Sequence, residues 1–359
     1  MKIRDILALS TAMLLCCSVA FAETTCTVQD LLAETAGGWH ETYEAHRRTI
    51  QVDLDIRVPN VSAFPVLHLT FEDMPETRPA DGQEMSYYFP EEWRYGIQDQ
   101  GHDDSDPDDK HVSQKNGDTF LYPDEPDRIY PTGGTMTLGE VIETVRSNLE
   151  TYGNDPSDWQ LDAPYLLQTY SYHDKKTGET VFPGVYYAFF HQKICGIPIL
   201  DHAGHAHLSD PHWISPQVSA WITKPDSFEV SVEWQLKEDA CLAEDVPLMP
   251  FSKIKSIVEE KILDGHIRKV IGMELGYMIY TDPVYRDDTI RRGHYDYVGH
   301  YYAVPVWQVQ CWYAKDAGTK LDKRSDDVDV LNVREFRNFI IHAQTGKILN
   351  SDDYPGFVQ

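Results

Sequence analysis

Apolar and polar positions along the chain fall into two rhythms, and the order of those rhythms predicts the architecture. "CTVQDLLAETAG" spaces its apolar residues for a short helix, with Thr27 as the cap and Gly37 and Gly38 as the stop. "TIQVDLDIRVP" then alternates Ile50, Val52, Leu54 and Ile56 with Gln51, Asp53, Asp55 and Arg57, the period of a strand with one wet face. "FPVLHLTFED" reads as its partner across Pro59, Asn60 and Ser62, so a β-hairpin is predicted there.

The helical period returns in "TLGEVIETVRSNLETYG". Thr137 and Glu140 form a capping pair, Leu138, Val141, Ile142, Val145 and Leu149 lie on one face, and Gly153 ends the helix. Strand-like segments rich in Tyr, Phe, Val and Ile follow: "YLLQTYSYHD", "GVYYAFFHQKICGIPIL", "QVSAWITKP" and "SFEVSVEWQL". The order then begins again. "MPFSKIKSIVEEKILDG" predicts a helix with Phe251, Ile254, Ile257, Val258 and Ile262 on one face and Gly265 beyond its end. It leads into "IRKVIGMELGYMIY", "YYAVPVWQVQCWYA" and "EFRNFIIHAQTGKIL", the last folding back through Gln344, Thr345 and Gly346. One helix and then several long antiparallel strands, twice over, predicts an α+β fold of tandem helix-plus-antiparallel-sheet units behind an N-terminal hairpin-containing region.

Two stretches fall outside both rhythms. Residues 1–22 set Lys2 and Arg4 ahead of an apolar run closed by Ala20-Phe21-Ala22, the order of a secretory signal, with the mature chain beginning near Glu23. Cys16 and Cys17 offer a lipid anchor as the rival reading, but Leu15 stands where a lipidation site takes a small residue. "QDQGHDDSDPDDKHVSQKNGD" and "YPDEPDRIYPTGG", within residues 97–134, read as a loop or boundary. The expected organisation is therefore signal 1–22, N-terminal region with an acidic loop 23–134, first helix-plus-sheet unit 135–246, and second unit 247–359. Every later apolar run is broken by charge, Gly or Pro, so no transmembrane segment is expected in the mature chain.

Charge narrows the partners. A formal net charge of −27 repels polyanions and excludes a nucleic-acid role, leaving solubility or an extracellular protein or peptide partner. In an exported chain Cys26, Cys195, Cys241 and Cys311 permit one or two disulfides, with the pairing open, and four buried thiols are the equal alternative.

"PLMPFSKIKSIVEE", "MELGYMIY", "YYAVPVWQV" and "FIIHAQTGKIL", with "GWHETYEAHRRTIQVDLDIRVPNVSAFPV" and "KICGIPI", resemble an uncharacterised family of exported Gram-positive bacterial proteins, often lipoproteins, over most of residues 39–349. The closing block is also similar to YycI-type extracytoplasmic regulators of sensor kinases and to PepSY-like modules. The resemblance implies an exported, cystatin-like fold and assigns no catalytic residue.

Catalytic motifs are few. There is no Gly-x-Ser-x-Gly elbow, phosphate loop or dinucleotide fingerprint. "HETYEAH" lacks the second zinc-protease histidine, since Glu44 holds that position. Asp104, Asp106 and Asp108 alternate as in a calcium loop, but Asp109 replaces the turn glycine and Lys115 the bidentate glutamate. "DHAGHAHLSDPHW" is the one dense cluster. If extended, His205 and His207 point the same way with backbones roughly 6 to 7 Å apart, and Asp201, His202, Asp210 or His212 could complete a zinc shell. A polar surface loop is the alternative. "HYDYVGHYYAVPVWQVQCWY" reads as sheet packing ahead of a stacking platform, with Pro305 marking a bend or an edge. The leading expectation is an extracytoplasmic, non-enzymatic binding or regulatory protein that acts through a sheet surface. The alternative is a zinc-binding protein or zinc-dependent hydrolase centred on His202, His205, His207 and His212.

Overall fold

The computed structural model describes residues 25–71, 112–121, 123, 125–130, 136–162, 164–174, 177, 180–200, 217–224, 227–233, 235–281, 301–313 and 336–349. In chain order the elements are α1 (Val28–Thr35), β1 (Trp39–Ala45), β2 (Arg48–Leu54), β3 (Ile56–Arg57), β4 (Val66–Phe71), β5 (Val112–Leu121) and α2 (Leu138–Thr151). There follow β6 (Leu166–Asp174), β7 (Thr180–His191), β8 (Lys193–Ile194), β9 (Ile197–Pro198), β10 (Gln217–Lys224), β11 (Ser227–Glu233) and β12 (Leu236–Ala243). The last are α3 (Phe251–Leu263), β13 (Ile267–Thr281), β14 (Tyr301–Tyr313), β15 (Phe336–His342) and β16 (Ile348–Leu349). The fold is α+β, its named strands pairing antiparallel apart from β3 with β13, and an isolated parallel bridge joins Ile199 to Tyr277.

A five-stranded sheet runs β11-β10-β7-β6-β5 and carries α2 on one face. The helix starts because the Thr137 hydroxyl accepts from the Glu140 amide while the Glu140 carboxylate accepts from the Thr137 amide. It stops at Gly153, whose φ of +80° suits a residue without Cβ. Leu138, Val141, Val145 and Leu149 bury themselves against Leu167, Tyr186, Phe190, Val218 and Ile222. Each such side chain contributes about 1.5–3 kcal/mol of burial.

A seven-stranded sheet runs β12-β4-β14-β13-β3, with β15 and β16 continuing beside β14. Here α3 buries Phe251, Ile254, Val258 and Ile262 as its spacing predicts. Phe251 packs between Trp39 and Trp307, at ring separations of 6.5 and 5.6 Å. Tyr301, Trp307, Cys311 and Trp312 are all buried, so the described part of the aromatic β14 segment is core.

Pairing departs from the expected pattern at three places. The predicted hairpin of 50–57 with 64–73 does not form. β2 pairs with β1 through a turn at His46 and Arg47, both at positive φ, while β4 joins β12 and β14 in the large sheet. Pro59, Asn60 and Ser62 therefore lie in the connection from β3 to β4, two strands of the same sheet that are not neighbours. The alternation of β1 is hidden by its exposed Glu41 and Glu44, which leaves Trp39 and Ala45 as its buried ends. Within the polar stretch, residues 112–121 form a strand. Its apolar content is low, but β6 supplies a full partner and a register shift between Asn116 and Thr119 absorbs Gly117 and Asp118. Pro305, finally, lies in a central strand. β15 pairs with Val306–Trp312 and β4 with Tyr301–Ala303, so Pro305 sits in the gap between two neighbours, where a missing N–H is tolerated.

Candidate functional site

His202, His205, His207 and His212, with Asp201 and Asp210, lie outside the described residues, as do Asp104, Asp106, Asp108 and the signal-like N-terminus. Among the described residues no group of three or more His, Cys, Asp or Glu side chains is disposed to hold a metal ion. "HETYEAH" is a β-strand rather than a helix. Its His40 binds Asp53 across the β1–β2 ladder at 2.5 Å, and that hydrogen bond holds the imidazole pKa above its usual value. None of the described helices is long and apolar enough to cross a membrane. Cys26, Cys195, Cys241 and Cys311 are free thiols.

The structure instead brings polar groups together where the two sheets meet. β7 delivers His191 and Gln192 to the end of the five-stranded sheet, and the chain then turns through β8 and β9 onto β13. Backbone bonds carry the crossing: Gln160 N–H donates to His191 C=O at 2.8 Å, Ile199 to Gln192 at 2.7 Å, and Leu200 to Tyr277 at 2.8 Å. Gln192 acts as a false strand partner for the start of β12. Its side-chain amide donates to Leu236 C=O at 2.6 Å and accepts from Leu236 N–H at 2.9 Å, satisfying buried groups that would otherwise cost about 1–3 kcal/mol each. Gly276 permits the close crossing, because a Cβ there would lie 2.6 Å from the Pro198 carbonyl oxygen.

Two ionisable groups are enclosed in this junction. Glu274 on β13 is 2% exposed, accepts from Gln160 Nε2 at 3.1 Å, and stands opposite Arg57 in the β3–β13 pair. His191 is 1% exposed and stacks on Tyr165 at 3.9 Å with planes 17° apart. Neither of its ring nitrogens makes a hydrogen bond of regular geometry, and the neighbouring Ile199 backbone compensates weakly. Burial first, and the Arg57 charge second, push its pKa down to about 3. Burial holds this imidazole in its neutral form, and its contribution is to packing and to acid sensitivity. The buried His191 follows a Tyr/Phe-rich run whose pattern reads as plain strand, and no sequence signal separates it from its neighbours.

The accessible features are sheet edges. Among the described residues β11 has β10 as its neighbour on one side, in register from Gln217↔Glu233 to Ile222↔Phe228, with a shift between Ile222 and Lys224 that puts the extra residue on β10. β12 is an edge of the large sheet, interrupted by register shifts at 238/240 and 241/243. β5 carries its own shift at 116/119.

No protein-family model matches the chain, and no curated protein matches it. An uncharacterised protein from Eubacterium rectale of known crystal structure is similar over 90% of this chain and 97% of its own, at a TM-score of 0.43 and 11% identity. A likeness of that degree assigns neither family nor function.

Proposed function

We propose that the chain is an exported, non-enzymatic binding or regulatory protein that takes an extended peptide or protein segment onto the β11 edge of the five-stranded sheet. The observation that supports this reading is that β11 itself carries no extra residue, the one register shift of its ladder falling on β10. Val230 and Val232 are buried beneath α2, which fixes the strand, while its outer row of backbone donors and acceptors faces away from β10. Strand addition uses such a row. The β5 and β12 edges carry bulges on the edge strand itself, a feature by which sheet edges avoid pairing, and β3 and β16 are two-residue strands.

Export belongs to the same proposal and rests on the charge, apolar and small-residue order of residues 1–22. So do the cystatin-like or PepSY-like character of the two units and the kinship with exported Gram-positive proteins, which rest on the sequence resemblance. Selection of ligands from a random peptide library, followed by amide hydrogen exchange with the best binder, tests the binding claim. Added protection confined to alternate amides of Ser227–Glu233 supports it. Protection elsewhere with β11 unaltered overturns it.

A further inference from the structure

The four described thiols divide by environment. Cys311 is fully buried in β14, and burial drives its thiol pKa upward. Cys26 is half-buried beside its backbone bridge to Leu248, and burial followed by the charges of Glu34 and Asp30 pushes it up to about 11. Cys195 and Cys241 are exposed, and they come from the β8–β9 hairpin and from β12, both packed on the core of the seven-stranded sheet.

Cys195 opens the two-residue turn between β8 and β9. Its φ is +52° and that of Gly196 is +78°, the left-handed pair of a tight hairpin turn. Asn, Asp or Gly ordinarily fills the first of these positions, because Cβ crowds the carbonyl there and a short polar side chain compensates locally. A cysteine carries the strain without that compensation. Its Sγ instead donates to Glu238 Oε2 on β12 at 3.4 Å.

β12 brings Cys241 to the same face. Opposite Glu238, Ala240 and Cys241 stand Leu69, His68 and Leu67, so Asp239 is the extra residue of a bulge. Leu67 and Leu69 share one face of β4, and the bulge accordingly places Glu238 and Cys241 on one face of β12, about 7 Å apart along the strand. Tyr277 reports the same grouping. Burial raises its hydroxyl pKa first, and Cys195, Cys241 and Glu238 add to the rise.

The geometry points to a reversible disulfide between Cys195 and Cys241, a redox staple that ties the β8–β9 turn to the β12 edge of the seven-stranded sheet. In the reduced form described here the two thiols stand beyond bonding distance. Closure moves the two-residue turn toward the bulged edge strand. A small-molecule disulfide such as oxidised glutathione is the oxidant. The Cys241 thiolate attacks one glutathione sulfur and expels the first glutathione as thiolate. Cys195 then loses its proton to solvent, attacks the Cys241 sulfur of the mixed disulfide and expels the second. The protein gives up two protons and two electrons, and glutathione disulfide becomes two thiols. Burial and the Glu238 carboxylate push the Cys195 thiol up to about 11, so closure is slow at neutral pH and speeds as pH rises.

The test equilibrates the full reduced chain with a graded series of oxidised-to-reduced glutathione ratios, quenches with acid and maps the peptides by mass spectrometry. The expected product links the Cys195 and Cys241 peptides without retained glutathione, is released by dithiothreitol, and melts about 5 °C higher. Cys195→Ser is expected to trap glutathione on Cys241, because the resolving thiol is gone. Separate glutathione adducts on the two wild-type residues, linkage to Cys26 or Cys311, or two free thiols at the most oxidising ratio would each overturn the proposal. Glu238→Gln supplies a readout independent of closure. Alkylation of Cys195 in the reduced chain should quicken by about threefold or more with melting unchanged, and an unaltered rate shows that Glu238 does not restrain the thiol.

Discussion

The two helices that cover the two sheets begin in different ways. α2 is capped by its own flanking residues, Thr137 and Glu140. α3 follows Pro250, which offers no side-chain acceptor, and its first amides are capped from elsewhere: Glu34 of α1 accepts from Phe251 N–H at 2.9 Å and Ser252 N–H at 2.8 Å. A carboxylate there also meets the positive end of the helix dipole. The five-stranded unit therefore carries the instructions for its helix within one stretch of chain. The seven-stranded unit borrows them, together with β3, β4 and the β1–β2 layer, from residues before position 72. Lys255 extends the same dependence, binding Glu41 of β1 and lying 5.6 Å from the Trp39 ring.

The sharpest way to break the arrangement is at the crossing both units share. Gly276→Ala drives a Cβ against the Pro198 carbonyl and the Leu200 side chain, and unfolding in urea should show a loss of about 3 kcal/mol. Glu34→Ala comes next, at about 2 kcal/mol, because two amides lose a charged acceptor at once. His191→Phe separates the units by their response to acid. The folded pKa of His191 is depressed, so between pH 6.5 and about 3 the unfolded chain binds a proton that the folded chain refuses, and stability falls as pH falls. The variant keeps the stack on Tyr165 and should be more stable than wild type by on the order of 2 kcal/mol at pH 5, with no gain above pH 7. His40 acts in the opposite sense, since Asp53 raises its pKa, so the difference between wild type and variant is the quantity to measure. Thr137→Ala should cost about 1 kcal/mol, read by thermal melting, with the loss confined to α2. Asp53→Asn, at an exposed pair, should leave melting unchanged.

Legibility in the sequence follows the same division. Thr137, Glu140, Gly153 and the apolar face between them announce α2, and the Tyr/Val-rich runs announce β6, β7, β10 and β11, because each depends on neighbours in sequence. Partnership over distance was not legible. Nothing in "FPVLHLTFED" says that it pairs with β12 and β14 rather than with the alternating strand just before it. Nothing in "VSQKNGDTFL" distinguishes an edge strand held by β6 from the polar loop around it. The capping role of Glu34 is invisible from either helix alone, and the enclosure of His191 and Glu274 arises only once the two sheets meet. Gly276 did leave a trace, since a glycine inside a strand marks close approach of another backbone. The candidate zinc residues His202, His205, His207 and His212 lie outside the described residues, and the accessible cysteine pair stood among four thiols that spacing could not sort.

Residue-resolved amide hydrogen exchange on wild type and Glu34→Ala tests most directly whether one unit stands on local instructions and the other on borrowed ones. Faster exchange at Phe251, Ser252 and along α3 and α1, with α2 and β6–β7 unaltered, is the predicted result. Equal acceleration of α2 and α3, or none at Phe251 and Ser252, would contradict it.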